Sequence, residues 1–421
     1  MEKTSADVCI VGGGPAGMVL GLLLARKGFR TLVLEQHQDF AREYRGEVLM
    51  PRFTQLFRKI GLDDWLLTLP HLKLEFGELL FAGKRIGRLD FRLMAPDVPY
   101  ALWMPQPVLL QGLYELTKKY SNCEVWFGAS VQQLIGDDPV EGCVIRRGDG
   151  MTQVNARVVV GADGRYSTVL KQGKFTFEYE DHKFDLIWFT IPKPKDYDNT
   201  FRVLFSPRKS FLLLPKHPDA IQVGILMKKG GLQELMKEGI DQVREEISLA
   251  HPLFVDFAKT LKDFSVFHPL QAHLHFVKDW AKNGCLLIGD AAHCCSPAGA
   301  IGVSMAVGTA WVAGEVIAKG LQSSKGILTR TVLSQVQKQV QADVRNVHRI
   351  QRLLTGGGLG RFVPIRWLLP LTVTLVARTP LFRRLQRQLM TLPSSNWPIL
   401  VGLIGGTGNW CKGMICLLGL S

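Results

Sequence analysis

A glycine pattern near the start of the chain constrains its fold more than any other feature. Residues 7–11 form a short apolar run, and Gly12, Gly14 and Gly17 follow it in the spacing GxGxxG. A leucine-rich segment, 18–27, comes next and has the composition of a buried helix. The order of apolar run, glycine turn and helix predicts the first half of a nucleotide-binding βαβ unit.

The second half follows at the spacing that such a unit requires. Gly28 closes the helix, Thr31–Leu34 reads as a second strand, and Glu35 ends it. In such a unit the first glycine makes the turn, the second admits a pyrophosphate, and the third lets helix pack on strand. The pyrophosphate lies at the helix N-terminus and the acid accepts hydrogen bonds from a ribose. We therefore predict a dinucleotide site; the alternative is a plain glycine-rich turn.

Two further junctions between a strand and a turn lie far along the chain. The apolar run 156–160 meets residues 161–164, and the apolar run 285–288 meets residues 289–293. Residues 172–280 contain strand-like segments, proline-rich turns and one predicted helix over about 231–250, and together these indicate a second, mainly β domain. This order predicts a discontinuous nucleotide-binding domain with a β domain inserted into it.

Four segments in this order resemble the flavoprotein monooxygenases of the para-hydroxybenzoate hydroxylase type. They are residues 12–17 with Glu35, residues 45–51, residues 161–167, and residues 289–293 with Pro297. The resemblance implies an α/β fold with a Rossmann-like FAD-binding domain, an inserted, mainly antiparallel β substrate domain, and a helical, apolar and basic C-terminal tail. It implies these boundaries: 1–72, 104–171 and 268–355 for the FAD-binding domain, 73–103 and 172–267 for the substrate domain, and 356–421 for the tail.

The resemblance also implies which residues contact FAD. Asp290 would bind the ribityl hydroxyls, for which a carboxylate at a strand end is a suitable acceptor; the alternative is that it caps the next helix. The amides of Gly302 and Val303 would stabilise negative charge at the flavin pyrimidine. The remaining implied residues are Gly12, Gly14, Ala16, Gly17 and Glu35 at the pyrophosphate and ribose, Arg45 and Gln106 at the flavin side, Val131 at the adenine, Asp163 and Gly164 at FAD and NAD(P)H, and Pro297 after Asp290.

Three of these assignments have alternatives or depart from the family. Arg45 would otherwise form a surface ion pair, and Asp163 would otherwise belong to a plain turn. Gln106 stands where many members carry Arg. Further along, Ser304 and Thr309 stand where many relatives carry Asn and Asp.

The resemblance implies an FAD-dependent monooxygenase that uses NAD(P)H and O2 to insert one oxygen into a small apolar aromatic or olefinic molecule. One alternative is an FAD-dependent oxidoreductase that reduces or desaturates a prenyl chain without inserting oxygen. Another is a non-catalytic flavin-binding protein at a membrane. Halogenation is disfavoured because residues 187–192 lack the expected Trp-x-Trp-x-Ile-Pro segment. No residue is assigned as catalytic, and His293 is expected to be structural.

The net charge of +14 is concentrated in the C-terminal tail. No acidic residue follows Asp343 but ten basic residues do, which leaves about +4 for the rest of the chain. Around residues 381–389, leucines share one face of a predicted helix and arginines lie away from it. This pattern fits either an anchor on an anionic membrane surface or a helix docked on the core. A nucleic-acid partner is not expected, because the basic residues interleave with apolar ones.

Cysteine and histidine patterns limit the remaining possibilities. The eight cysteines contain no CxxC pair, so we expect reduced thiols and a cytoplasmic protein, with the membrane surface as the open alternative. His268, His273 and His275 lie in one strand-like run without an evident third ligand, so we expect no metal site.

Overall fold

A computed structural model of the chain describes residues 2–41, 47–81, 83–205, 210–297 and 299–356, together with 379, 384, 386–388 and 390–392. The helices are α1 (Pro15–Arg26), α2 (Pro51–Lys59), α3 (Asp63–Leu66), α4 (Phe91–Met94), α5 (Gln106–Thr117), α6 (Thr168–Gln172), α7 (Gly231–Glu238), α8 (Ile240–Ala250), α9 (Val255–Thr260), α10 (Gly302–Ser323) and α11 (Arg330–Gly356). The strands are β1 (Glu2–Val11), β2 (Thr31–Leu34), β3 (Val48–Leu49), β4 (Leu72–Leu74), β5 (Phe76–Phe81), β6 (Lys84–Asp90), β7 (Ala101–Trp103), β8 (Cys123–Trp126), β9 (Ala129–Ile135), β10 (Gly142–Arg147), β11 (Gly150–Gly161), β12 (Phe177–Pro192), β13 (Phe201–Phe205), β14 (Ser210–Lys216), β15 (Ala220–Lys228), β16 (His268–Val277), β17 (Ala281–Lys282), β18 (Cys285–Leu287) and β19 (His293–Cys294).

The first sheet is parallel at its centre, in the order β8-β2-β1-β11-β18. The carboxyl-terminal parts of its central strands, residues 8–11 of β1 and 158–161 of β11, are apolar and almost fully buried, which is typical of parallel strands covered on both faces. Helix α1 connects β1 to β2 and packs against α5 and α10. The carboxyl ends of β1, β2, β11 and β18 therefore meet at one edge, where the glycine turn and the predicted acidic residues follow them. The predicted βαβ unit is confirmed.

The second sheet has the order β19-β16-β12-β15-β14-β13-β5-β6 and is antiparallel except for the β13–β5 pair. It joins residues 76–90 to residues 177–228, two stretches that the resemblance assigns to one substrate domain. Strand β16 also pairs within this sheet, although the implied boundary places residues from 268 onward in the FAD-binding domain. A small third sheet contains β3, β7 and β4.

Strand β12 has two buried faces with different neighbours. Ile187, Phe189 and Ile191 belong to a core shared with helices α8 and α9. Leu186 and Trp188, on the alternate face, belong to the larger core that runs through the first sheet. The strand therefore connects the substrate side of the molecule to both cores.

Two expectations about helices have clear outcomes. The single helix predicted over about 231–250 is wrong: it is split at Gly239, whose φ of +87° ends α7 before α8 begins. Within the part of the chain described above, no helix has the length and apolar character needed to cross a bilayer.

Candidate active site

A cavity of about 1200 Å³ lies between the carboxyl edge of the parallel sheet and the second sheet. A site for one small ligand usually measures about 300–1,000 Å³, so this cavity has room for more than one molecule. Its wall is polar along the strand edge and apolar along the second sheet.

The glycine turn forms one end of the polar wall. Gly12 has a φ of +108°, and a Cβ placed there would lie 2.5 Å from the Ala162 carbonyl oxygen. A Cβ on Gly17, which does not line the cavity, would lie 1.9 Å from the Gly12 carbonyl oxygen. A Cβ on Gly14, by contrast, would have no protein atom within 4 Å, because Gly14 faces the cavity. Packing within the protein therefore requires glycine at positions 12 and 17. At position 14 it does not, and the space in front of Gly14 is open to a ligand.

Helix α1 begins directly after this turn and lacks a side-chain cap. Gly14, Pro15 and Ala16 all line the cavity, so the free amides of the first turn are at its wall. This arrangement suits an anionic group such as a pyrophosphate.

Glu35 follows β2 and lies beside the glycine turn. Its Oε2 accepts a hydrogen bond from the Gly13 amide at 2.9 Å, and its Oε1 accepts one from the His37 amide at 2.9 Å. The next strand along the wall contributes Ser130 and Val131, and its first residue, Ala129, donates its amide to the Glu35 carbonyl oxygen. Both Glu35 and Val131 therefore line the cavity.

Asp290 lies across the cavity edge, after β18. Its side chain is 30% exposed, and Oδ2 is 3.5 Å from Nε of Arg165. The short 3₁₀ turn that contains Asp290 has no side-chain cap, and neither has α10. The helix-cap alternative for Asp290 therefore has no support in this geometry, and the carboxylate faces the cavity beside the half-buried guanidinium of Arg165.

Asp163 lines the cavity but uses its carboxylate within the protein. It accepts hydrogen bonds from the Ser167 hydroxyl at 2.5 Å and from the Thr168 and Val169 amides at 2.7 and 3.2 Å. Burial raises the pKa of Asp163, and these hydrogen bonds oppose that shift. The side chain thus holds the start of α6, while Gly164, with a φ of +78°, turns the loop along the wall.

The segment before α10 completes the polar wall with Pro297, Gly302 and Val303. Gly302 is the first residue of α10, which leaves the amides of that turn without side-chain partners. Gln106, the first residue of α5, lies in the same wall. Arg45 lies outside the described residues, so its predicted contact is not placed.

The second sheet supplies an apolar chamber that opens on this polar wall. Trp188 of β12 lies against Gly224 of β15, where a Cβ would come within 2.7 Å of the indole. Glycine at this position therefore makes room for the tryptophan ring. The other apolar side chains of the chamber are Leu79, Leu89, Leu186, Phe201, Val203, Phe205, Phe211, Leu212, Leu214, Leu226, Met227 and Leu270.

One wall residue comes from the C-terminal tail. Met390 is 7% exposed, belongs to the larger core and lines the cavity. Arg387 donates to the Leu93 carbonyl oxygen at 3.1 Å, and the Leu392 amide donates to Oε1 of Gln55 at 2.8 Å. The described part of the tail therefore docks on the core. Leu381, Arg383, Leu385 and Leu389 lie outside the described residues, and the membrane-surface alternative stays a prediction.

His293 lies behind the wall and not in it. Its Nε2 is 2.6 Å from the hydroxyl of Thr309, which itself donates to the Met305 carbonyl oxygen at 2.8 Å. Burial lowers the pKa of His293 to about 3, so the ring is neutral. Thr309 in place of a carboxylate leaves no negative charge there to oppose that shift. Among the described residues, no group of three His, Cys, Asp or Glu side chains is arranged to hold a metal ion.

Sequence reasoning missed three wall residues. Arg165 lies in segment 161–167, where an Arg directly after an Asp-Gly turn is a signal that sequence reasoning could have used. Trp188 could be placed by the alternation along its strand. Met390 had no signal, because only the fold brings residue 390 to this cavity.

Comparison with known proteins identifies the family. A family model described as an FAD binding domain matches residues 5–343. The 6-methylpretetramide 4-monooxygenase of Streptomyces rimosus is 30% identical over 397 residues, which cover 92% of this chain and 93% of that protein.

Two solved structures share the fold. The p-nitrophenol 4-monooxygenase PnpA of Pseudomonas putida DLL-E4 aligns with a TM-score of 0.71 and 18% identity, over 93% of this chain and 100% of the other. Pseudomonas aeruginosa PqsL in complex with 2-aminobenzoylacetate aligns with a TM-score of 0.70 and 18% identity, over 92% and 99%. With the glycine turn, the strand-edge acids and the two-sheet cavity, these matches show that the chain belongs to the FAD-dependent aromatic monooxygenases of the para-hydroxybenzoate hydroxylase type.

Proposed function

We propose that this enzyme hydroxylates an apolar aromatic compound, with NAD(P)H as the reductant and O2 as the source of the oxygen. The observation that carries the proposal is that the polar strand edge and the apolar face of the second sheet line one cavity. The relative from S. rimosus is named for 6-methylpretetramide, and we propose a substrate of that chemical type.

The described residues support a specific arrangement of FAD. Gly14 leaves room for the pyrophosphate at the N-terminus of α1, and Glu35 accepts from the adenosine ribose. Asp290, held by Arg165, accepts from the ribityl hydroxyls. Gly302 and Val303 direct amides towards the flavin pyrimidine from a second helix N-terminus. Gly12, Ala16, Gln106, Val131, Asp163, Gly164 and Pro297 complete the proposed cofactor contacts, and Arg45 joins them as a prediction. Gly17 acts indirectly, because it lets α1 pack against the turn at Gly12.

The apolar chamber supports the substrate half of the proposal. When bound, FAD would supply the redox chemistry, in which an aromatic C–H group, one O2, the hydride of NAD(P)H and one proton yield a hydroxylated product, water and NAD(P)+. Trp188 and Phe201 offer ring faces and edges against which an aromatic substrate packs. An apolar wall also keeps bulk water away from the reacting atoms.

An oxygen-tracing assay tests this function. The purified holoenzyme is incubated with NADH or NADPH, 18O2 and a panel of fused-ring phenols, and both oxygen consumption and product mass are recorded. We expect a substrate that accelerates NAD(P)H oxidation, consumes O2 and gains one 18O atom. Hydride consumption without O2 would instead support a prenyl reductase. No turnover with any tested phenol, in protein that retains FAD, would count against an aromatic hydroxylase.

A further inference from the structure

The loop between β19 and α10 has a backbone that its sequence does not favour. Gly299 and Ala300 are both in the left-handed region, with φ values of +86° and +51°. Glycine adopts this conformation freely, but an alanine Cβ crowds the following carbonyl group there. Both residues line the cavity, so the strained part of the loop forms its wall. Groups outside the loop must therefore hold it in place.

Gln351, on helix α11, binds the residue at the start of this loop. It is fully buried at 0% exposure, and its Nε2 donates to the Ser296 carbonyl oxygen at 2.9 Å. The Ser296 amide donates back to Oε1 of Gln351 at 3.2 Å. Ser296 itself is buried and lines the cavity at the start of the strained loop. The Gln351 side chain thus forms hydrogen bonds with both the amide and the carbonyl group of Ser296, the residue at which the loop begins.

A second contact ties the same helix to the same strand end. Nε2 of His348, one helical turn before Gln351, lies 3.7 Å from Sγ of Cys295. Helix α11 therefore reaches two successive residues, Cys295 and Ser296, from two successive positions of one helix face. Gln351 lies beyond residues 5–343, the part of the chain that the family model matches.

We infer that Gln351 is a positioning residue for the cofactor. Through Ser296 it holds the loop that ends at Gly302, and so it sets where the first amides of α10 lie. The inference rests on the proposed placement of the flavin beside Gly302 and Val303. Loss of the two hydrogen bonds would let the loop relax away from the flavin while the sheets remain folded.

The chain contains a matched control on the same helix. Gln337, a partly exposed residue about four turns earlier, makes a similar pair of bonds to two residues: Nε2 donates to the Lys278 carbonyl oxygen at 2.8 Å, and Oε1 accepts from the Trp280 amide at 3.0 Å. Lys278 and Trp280 lie outside the cavity wall. Replacing Gln351 therefore removes hydrogen bonds to the loop, whereas replacing Gln337 removes hydrogen bonds from the same helix to residues outside the loop.

The test compares Gln351→Met with Gln337→Met in the full-length protein. Each apoprotein is titrated with FAD, and the visible spectrum of the bound flavin is recorded. Because Gln351 acts on the cofactor loop, we expect Gln351→Met to weaken FAD binding by about tenfold and to shift the flavin absorption bands. Gln337→Met is expected to match the wild type in both measurements. Equal FAD affinity and spectra in both variants would overturn the inference.

Two further variants separate positioning from stability. A protonated carboxyl in Gln351→Glu can accept from the Ser296 amide and donate to the Ser296 carbonyl oxygen, so at mildly acidic pH this variant should bind FAD more tightly than Gln351→Met. Adding Ala300→Gly to Gln351→Met removes the strained side chain, so it should recover part of the lost affinity. Failure of both rescues would assign Gln351 a purely structural role. A wild-type protein that bound no FAD would instead refute the proposed cofactor site.

Discussion

Single residues at the cavity edge divide into those that the fold requires and those that it leaves to a ligand. Gly12 and Gly17 have no room for a side chain, whereas Gly14 faces open space. Asp163 is committed to three internal hydrogen bonds, whereas Asp290 faces the cavity beside Arg165. Substitution of a residue that the fold requires should lower stability, and substitution of a residue that faces the ligand should lower FAD affinity.

Substitution of Gly14 should abolish FAD binding without unfolding the protein. In Gly14→Val the new Cβ has no protein atom within 4 Å, and the side chain fills the space through which a pyrophosphate reaches the backbone. In Gly17→Ala the new Cβ would clash with the Gly12 carbonyl oxygen, so this variant should lose stability. FAD titration and thermal unfolding of both variants provide the measurement. A Gly14→Val protein that binds FAD normally would contradict the proposed site.

Removal of the Asp290 carboxylate should weaken FAD binding by roughly 10- to 150-fold. A hydrogen bond to a charged group contributes about 1.5–3 kcal/mol, and about 1.4 kcal/mol corresponds to a tenfold change. Asp290→Ala should therefore show this loss in a titration of the apoprotein. Asp256→Ala is the matched control, because that carboxylate is 93% exposed and remote from the cavity wall. An unchanged dissociation constant in folded Asp290→Ala would refute the assignment.

His293 should make the protein less stable in mild acid. Because burial lowers the pKa of His293 to about 3, the unfolded chain takes up a proton below pH 6.5 that the folded protein does not. Stability therefore rises with pH between these two values. Between pH 7 and pH 5.5 the wild type should lose about 1 kcal/mol more than His293→Gln in urea unfolding. Equal losses in the two proteins would show that His293 does not titrate in this way.

The sequence predicts residues whose roles depend on local order and misses those whose roles depend on distant contacts. Gly12, Gly14 and Glu35 are readable because a turn, a helix and a strand follow within 35 residues. Gln351 carries no such signal, since its partner Ser296 lies 55 positions earlier. Only packing of α11 on the strand end brings the two together.

At the scale of elements, the strands are predicted better than the boundaries between domains. An apolar run of four to six residues predicts β1, β2 and β18, because parallel strands are buried on both faces. Sheet membership depends on pairing between distant segments, so no local pattern assigns β16 to the second sheet. The division of residues 231–250 is local, but it depends on a left-handed glycine inside a helical period.

The docked part of the tail should contribute to stability through Met390. Truncation of a buried methionine usually costs about 2–5 kcal/mol, and a residue in a cavity wall belongs at the lower end of that range. We expect Met390→Ala to lower the free energy of unfolding by about 2 kcal/mol. Met236→Ala, at a methionine that is 54% exposed, should change it by less than about 0.5 kcal/mol. If the two variants were equally stable, the tail would not be docked in solution.

At the scale of the whole molecule, the cavity makes FAD a link between the two sheets. The strand edge of the first sheet and the inner face of the second both line this space. A ligand that binds only the folded protein stabilises it by about 2.7 kcal/mol at a hundred times its dissociation constant. Because both sheets line the proposed FAD site, bound FAD should stabilise both of them.

Saturating FAD should therefore slow hydrogen exchange in β1 and in β12 together. At the FAD concentration that gives the wild type about 2.7 kcal/mol, a 10- to 150-fold weaker Asp290→Ala should gain only about 0.3–1.4 kcal/mol. Thermal unfolding with and without FAD measures the total stabilisation by FAD. Hydrogen exchange shows how much of that stabilisation each sheet receives. Asp256→Ala, which leaves the cavity wall intact, should keep the full increment. Protection confined to β1 would mean that FAD contacts the first sheet alone, and the second sheet would then be a separate unit that closes on substrate.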